Sequence, residues 1–339
     1  MSETATICRS LVLSRRPEGE PRPGDFSLRE TPLPEPGEGE VLTRTLLLSV
    51  DPYQRRRISG PPSSEPLLAL GAVMVGESVG QVLASGDAEF RPGDIVVGSR
   101  GWQTHSVSAA RQLTKIDTAA APLGAWLGVL GMPGTTAYSG MRDIGQPQPG
   151  ETVVVSAAAG AVGSVAGQLA KRAGCRVVGV AGGPDKCMWV QETLGFDDCV
   201  DHRSGDFADA LGEACPLGID VYFENVGGIV QEAAFARLNR HARVVMCGMI
   251  AQYNEKELPP GPNLGFVVSR RVRIEGMIVA DQPERLVEWR ALAAPWVRDG
   301  SLRHRETLID GLERAPEALR QVLRGGNFGK MLVRLARAE

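Results

Sequence analysis

Apolar positions follow two regimes along the chain. Up to about residue 120 they come as short runs, VLTRTLLLSV at 41–50, SVGQVLA at 78–84 and DIVVG at 94–98, between Pro/Gly-dense loops such as PRPGDF, PLPEPGEGE and FRPGD. Short strands at this spacing, bounded by turn residues, predict a small sheet or barrel, and no strong helix is expected there. From Gly150 compact Val-rich runs alternate with longer helical stretches. Strands are predicted at 151–159, 175–183, 197–200, 219–227, 241–248 and 272–280, and helices at 161–173, 185–194, 206–213, 229–238 and 283–298. Continuous Val-rich runs imply strands buried on both faces, as in a parallel sheet wound with helices above and below. The fold class is therefore α/β, a doubly wound parallel sheet plus a β-rich part. The tail of about 40 residues ends in GGNFGKMLVRLA, a turn and then a strand. It is too short to be a domain and is expected to pack back onto the first part.

The sharpest local pattern is VVVSAAAGAVGSVAGQLAKRAG, a strand, a small-residue turn and a helix. It is a G-x-G-x-x-G pattern with Ala158 in the first position, then Gly160 and Gly163. Gly160 allows backbone to approach a pyrophosphate, and Gly163 allows the helix to pack close to the strand. The helix end then offers free N–H groups to an anion. A second strand ends about 20 residues on, the context a dinucleotide site needs. An NAD site usually carries Asp or Glu at that second strand end, to bond the ribose 2′-hydroxyl. Here the chain reads Val180-Ala181-Gly182-Gly183-Pro184-Asp185-Lys186. The carboxylate is missing at Ala181 and Gly182, which leaves room for a 2′-phosphate, and Lys186 follows on the next helix turn. Asp185 suits the start of that helix better than a ribose contact.

Composition narrows the function. A chain of 339 residues suggests roughly two domains. Lys+Arg 37 against Asp+Glu 40 argues against nucleic acid as the main partner. No apolar run of about 18 residues predicts a membrane helix, and MSETATICRS lacks a signal-peptide pattern. The six cysteines are scattered, as expected of a reduced, cytoplasmic compartment. None of the four histidines has metal-ligand spacing except His202 beside Cys199, read as a surface histidine, so no metal is expected. No G-x-S-x-G elbow occurs either. The chemistry is then expected from a cofactor, oriented by the protein.

The ordered motifs carry a resemblance. They are Asp51-Pro52-Tyr53 with Arg55 and Arg57, Gly131-Met132-Pro133-Gly134-Thr135-Thr136-Ala137-Tyr138, Ala157-Ala158-Ala159-Gly160-Ala161-Val162-Gly163, Glu224-Asn225-Val226-Gly227-Gly228, Cys247-Gly248-Met249-Ile250 leading to Tyr253-Asn254, and Asn327-Phe328-Gly329-Lys330. Over nearly its whole length the chain resembles the zinc-independent medium-chain dehydrogenase/reductases. Within these it looks like the leukotriene/prostaglandin reductases, alkenal double-bond reductases and curcumin-type reductases. The resemblance implies a Rossmann domain at 125–300 inside a discontinuous β-rich, GroES-like catalytic domain at 1–124 and 301–339, with cofactor and substrate between them. It implies NADPH-dependent reduction of the carbon–carbon double bond of α,β-unsaturated ketones and aldehydes, by a cytoplasmic homodimer acting on a small molecule, with no nucleic acid or membrane partner.

By position the resemblance assigns cofactor contacts to Ala158, Gly160, Ala161, Val162, Gly163, Gly182, Lys186, His202, Asn225, Cys247, Gly248, Ile250, Tyr253, Met277, Ile278, Val279 and Asn327. His202 stands where tyrosine is common in the prostaglandin-reductase type. Gln54-Arg55-Arg56-Arg57 is more basic than the usual pattern, and is read as a solvated edge rather than a pocket mouth for acidic substrates. Hydride addition to the β-carbon builds negative charge on the carbonyl oxygen, and a donor aimed there lowers the barrier. Tyr253, acting directly or with the cofactor ribose, is the first candidate donor and Tyr53 the second. Cys247 is read as packing. Pocket size is expected to depend on the loops at 58–70 and 253–266. Two alternatives stand: an NADPH quinone oxidoreductase of the same superfamily, and a cofactor-binding protein without activity.

Overall fold

The computed structural model describes residues 7–33, 35–59 and 66–338. The start of the N-terminal segment read for a signal peptide, and residues 60–65 of the first pocket loop, lie outside them. The chain forms two compact units, one of Met1–Leu127 with Glu306–Glu339 and one of Gly128–Arg305.

The first unit opens with the antiparallel pair β1 (Ile7–Leu13) and β2 (Phe26–Pro32). β3 (Glu40–Val50), the short helix α1 (Tyr53–Ile58), β4 (Glu77–Ser85), β5 (Ile95–Ser99), β6 (His105–Ala109) and β7 (Thr114–Lys115) follow. Successive side chains of a strand point to opposite faces. Val41, Val82, Phe90, Val96 and Leu113 gather on one of them as a small core. Among the described residues of the first 120, where no strong helix is expected, the α-helix is the short α1. Six residues are too few to show a helical period, and its anchor is tertiary. Gln54 is buried, and its amide donates to the carbonyls of Ser49 and Val75 while accepting from the Asp51 N–H. Arg55 corrects the expectation of a solvated edge. It is 3% exposed, and its guanidinium donates to Ser59 O, Ser59 Oγ and Gly19 O. It closes the end of α1 instead of facing water.

The second unit begins with α2 (Met132–Ser139), which continues as a wider turn through Gly140–Gly145. Then β8 (Thr152–Ser156), α3 (Gly163–Arg172), β9 (Arg176–Ala181), α4 (Pro184–Glu192), β10 (Asp198–Asp201), α5 (Phe207–Ala214), β11 (Ile219–Glu224), α6 (Gly228–Ala236), β12 (Leu238–Met246), α7 (Gly265–Arg270), β13 (Arg273–Gly276) and α8 (Glu284–Arg298) alternate as the apolar pattern requires. The strands are all parallel, in the order β10-β9-β8-β11-β12-β13. Numbered within the sheet this is 3-2-1-4-5-6, the doubly wound dinucleotide-binding order. Val154, Val178, Tyr222 and Val244 pack against Leu211, Val230 and Ala234 of α5 and α6. The alternate set faces the other layer. A Cβ added at Gly140 would stand 2.7 Å from the Phe223 ring and 2.9 Å from Val245. Both sets are buried, which is why these strands read as unbroken Val-rich runs.

Four predicted strands, at 151–159, 175–183, 219–227 and 272–280, are shorter than expected, and the last two show why. The run at 219–227 stops at Glu224, whose carbonyl accepts the N–H groups of Cys247 and Gly248. The run at 272–280 stops at Gly276, opposite Met246, the last residue of β12. Beyond it no neighbouring strand remains to continue the ladder, so Met277, Ile278 and Val279 lie in the turn that follows.

The remaining chain forms β14 (Glu306–Asp310), α9 (Ala315–Leu323) and β15 (Lys330–Arg334). β15 pairs antiparallel with β3, giving a sheet ordered β14-β15-β3-β4-β5-β7, with β6 also on β3. The return is fixed by a buried ion pair. Lys330, 2% exposed, places Nζ 3.0 Å from Asp51 Oδ1, 2.7 Å from Val50 O and 3.0 Å from Met331 O. All three ammonium protons have acceptors, and Ser49 donates to the second Asp51 oxygen. Breaking a buried pair from one side leaves an uncompensated charge. Lys330→Met should therefore lower unfolding free energy by about 3–5 kcal/mol in urea titration, and adding Asp51→Asn should recover part of that loss.

Candidate functional site

In a parallel sheet all strands end at one edge, and the second unit's predicted site residues follow strand ends. Residues 157–163 follow β8, Gly182 and Lys186 follow β9, and His202 follows β10. Asn225 follows β11, residues 247–253 follow β12, and Met277, Ile278 and Val279 follow β13. The fold thus brings to one rim residues spread over more than a hundred positions. Tyr53 and Asn327 belong to the first unit, at the start of α1 and just before β15.

The turn after β8 is built by close contact. Ala157 takes φ 50°, a conformation rare for residues with a Cβ. The Ala158 N–H donates to Val180 O at 3.0 Å, and the Gly160 N–H to Ala157 O at 2.8 Å. α3 then starts at Gly163, where an added Cβ would lie 2.3 Å from Ala157 O. Gly163 is therefore required for the helix to approach the strand. Gly160 is different: an added Cβ would meet only Ala157, its carbonyl oxygen at 3.0 Å. The ten-residue α3 presents its amino end at this turn, where unpaired N–H groups and the positive dipole end favour an anion.

The space beside Gly182 is cationic. A Cβ there would stand 2.9 Å from His202 Nε2 and 3.0 Å from Arg203 Nε. Burial first, then Arg203, holds the Lys186 ammonium below the ordinary lysine range. Burial likewise holds the His202 imidazole low, with Arg203 adding to the effect. His202 is half-buried rather than a plain surface histidine. Asp201 organises this corner: its Oδ1 accepts the backbone N–H groups of Gly183 and Arg203, each at 2.9 Å. Arg203 was not among the sequence candidates. Its only signal is that it follows the end of the third strand, and an arginine there has no special look in a sequence.

A buried polar knot holds the centre of the rim. The Ser156 hydroxyl lies 2.9 Å from Glu224 Oε1 and accepts the Asn225 N–H at 2.7 Å. The Asn225 amide donates to Ser156 O at 2.8 Å, and the Val226 N–H donates to Glu224 Oε1 at 2.6 Å. Burial pushes the Glu224 carboxyl up. The Ile250 and Ala251 N–H groups bond Asn225 O and Val226 O, laying the 247–253 loop on this knot. A Cβ on Gly248 would stand 3.2 Å from the Tyr253 hydroxyl, so the tyrosine folds back across that glycine. Burial pushes the Cys247 thiol up to about 12, and a protonated thiol there is packing, not a nucleophile. In the first unit, Asn327 Nδ2 donates to Gly329 O at 2.7 Å, beside the Lys330 ion pair.

This is a dinucleotide-binding edge on a doubly wound sheet, accompanied by a β-rich unit. Residues 9–116 match the family described as N-terminal domain of oxidoreductase, and 161–295 that described as zinc-binding dehydrogenase. The chain is 47% identical over 97% of both lengths to the NADPH-dependent curcumin reductase of Escherichia coli (strain K12). It is 38% identical to the NADP(+)-dependent 2-alkenal reductase of Nicotiana tabacum, covering 97% of this chain and 98% of that one. The crystal structure of CurA from Vibrio vulnificus in complex with NADPH superposes with TM-score 0.92 at 44% identity, over 97% and 99% of the two chains. The chain belongs to the medium-chain dehydrogenase/reductase superfamily, in the branch of the leukotriene/prostaglandin reductases. The second family description carries a metal in its name. Among the described residues no three His, Cys, Asp or Glu side chains gather as a metal ion would need.

The contrast between the two turn glycines is measurable. Gly163→Ala should cost about 1–3 kcal/mol of unfolding free energy, as overpacking against backbone does. Gly160→Ala should stay closer to the parent in the same urea titration.

Proposed function

We propose that the chain is an NADPH-dependent reductase of the carbon–carbon double bond of α,β-unsaturated ketones and aldehydes. The observation that carries this reading is the pairing of a glycine-opened helix end with a cationic corner at the next strand end, in a chain so similar to NADPH-dependent relatives. The residues present fit the dinucleotide. The turn from Ala158 through Gly160, Ala161 and Val162 to Gly163 cradles the pyrophosphate. Gly182 leaves space, and His202 and Arg203 beside it, with Lys186 on the helix that follows, would grip a 2′-phosphate. Asn225, with the 247–253 loop from Cys247, Gly248 and Ile250 to Tyr253, would hold the nicotinamide half together with Met277, Ile278 and Val279. When bound, the dinucleotide supplies the hydride.

The chain's own part in the reaction is to place donors at the carbonyl oxygen, where negative charge grows as the β-carbon is reduced. Tyr253 takes this role. Such a donor is worth most in the transition state and little in the ground state. We also place the enzyme in the cytoplasm as a homodimer. Support for the dimer comes from β13, which has a strand partner on one side only, and from Val268, 79% exposed on the neighbouring α7. All six cysteines are free thiols, in keeping with a reducing compartment. No helix among the described residues is long and apolar enough to cross a membrane.

Loss of nicotinamide absorbance with a medium-chain enone tests the reading, against a simple quinone as rival substrate. The enone should give the higher kcat/KM, and a quinone preference would overturn the assignment. Tyr253→Phe should lower kcat about 100-fold with the KM for NADPH little changed, the size expected for losing one oxyanion donor. Arg203→Ala should raise the KM for NADPH about ten-fold and leave that for NADH unchanged, because only the phosphate loses a charge-assisted bond.

A further inference from the structure

The cations beside Gly182 come from two separate stretches of chain. His202 and Arg203 lie in the turn after β10, and Lys186 lies in the first turn of α4. One carboxylate oxygen joins the two stretches. Asp201, the last residue of β10, stands opposite Ala181, the last residue of β9. Its Oδ1 accepts the Arg203 N–H from its own turn and the Gly183 N–H from the turn after β9, each at 2.9 Å. Two backbone bonds complete the Arg203 turn. The Ser204 N–H donates to Asp201 O at 3.1 Å, and the His202 N–H to Ala181 O at 3.0 Å. On the other side Gly183 opens α4. Its φ of 97° is one that residues with a Cβ rarely adopt, and its carbonyl accepts the N–H groups of Lys186 and Cys187, each at 3.2 Å. The bond from Asp201 thus fixes the residue from which α4, and with it Lys186, sets out. A carboxylate is by charge alone a poor neighbour for a phosphate, since like charges repel. Burial also works against the Asp201 charge, yet the Arg203 and Gly183 N–H groups hold its carboxyl below the usual carboxylate range. Backbone N–H bonds to an ionised acceptor are of the stronger kind, so this carboxylate is suited to holding backbone in place.

We propose that Asp201 is a positioning residue that sets the preference for NADPH over NADH, by tying the Arg203 turn and the start of α4 into one arrangement around Gly182. It acts through Arg203 and Lys186 rather than on the phosphate, and the inference rests on reading those residues as the 2′-phosphate grip. What Asp201 contributes is the place of an acceptor oxygen, not its charge. Asparagine offers an acceptor oxygen at the same position without the charge, and alanine offers none. NADH and other nucleotides without a 2′-phosphate make no use of the grip, so their binding is independent of Asp201. A residue that merely supported the fold would affect both kinds of nucleotide alike.

The test measures competitive inhibition of the full-length protein, against NADPH in enone reduction, by 2′,5′-ADP, which carries the phosphate, and by 5′-AMP, which lacks it. In Asp201→Ala the inhibition constant for 2′,5′-ADP and the KM for NADPH should each rise about ten-fold, the loss of one charge-assisted bond. The constant for 5′-AMP should stay at the parent's value. Asp201→Asn should keep both constants near those of the parent. Inhibition constants do not depend on how much of the enzyme is folded, so a less stable variant does not imitate this result. An Asp201→Ala enzyme that holds 2′,5′-ADP like its parent overturns the proposal. So does one that loses both nucleotides equally, which is the mark of a purely structural residue. An Asp201→Asn enzyme as weak as Asp201→Ala overturns it too, because charge rather than position then matters. Failure of the phosphate grip shows separately and before any variant of Asp201 is made, as a parent enzyme that holds 2′,5′-ADP no better than 5′-AMP; the proposal then falls with the grip.

Discussion

At the end of β8 a helix stands against a strand with room for only a hydrogen between them. Gly163 faces the carbonyl of Ala157 so closely that no side chain fits. Everything on the rim follows from this approach. It brings the amino end of α3 to the strand edge, turns Ala157 into a left-handed conformation and leaves Gly160 facing outward with few neighbours. A helix end carries donors that have no partner within the helix, so its position decides where an anion can be held. The Val180 carbonyl, bonded by Ala158, ties the same turn to the neighbouring strand that ends just before Gly182. Helix end and cationic corner are therefore parts of one rigid arrangement.

The first unit rests on a different constraint. Its sheet is assembled from segments 280 residues apart, joined where Lys330 meets Asp51 and the Val50 carbonyl. A buried ammonium without acceptors is strongly unfavourable, and here each proton has one. The same pair explains why two separate motifs travel together. Asp51 leads directly into Pro52 and Tyr53 at the start of α1, and Lys330 follows the Asn327-Phe328-Gly329 turn. Tyr53 and Asn327 thus share one anchor. Arg55 serves this region through backbone carbonyls, a use of charge that an inspection of its basic neighbours does not suggest.

The polar knot of Ser156, Glu224 and Asn225 shows how the rim stays ordered. Glu224 is fully buried with its carboxyl pushed up by burial, and one of its oxygens gathers a hydroxyl and a backbone N–H. Such groups hold a loop firmly because any displacement leaves a buried polar atom unpaired. The 247–253 loop lies on that foundation, and the Tyr253 hydroxyl is placed by its fold across Gly248.

The six Val-rich runs, the helices between them and the small-residue turn at Ala158 to Gly163 were legible in the chain, because strand and helix periods and glycine turns are written in neighbouring residues. The helix α9 was not predicted in the tail, although its amphipathic face, with Ala315, Ala318, Leu319 and Val322 buried, carries the same kind of local signal. The sequence by itself also determined that the strand after the turn ends without a carboxylate. Tertiary structure alone decided where β11 and β13 stop, because a strand ends where its partner's ladder ends. It alone brought Arg203 to Gly182, buried Arg55 and joined Lys330 to Asp51. Each of these pairings is a contact between distant positions, made when the sheet forms, and no local period or turn rule encodes it.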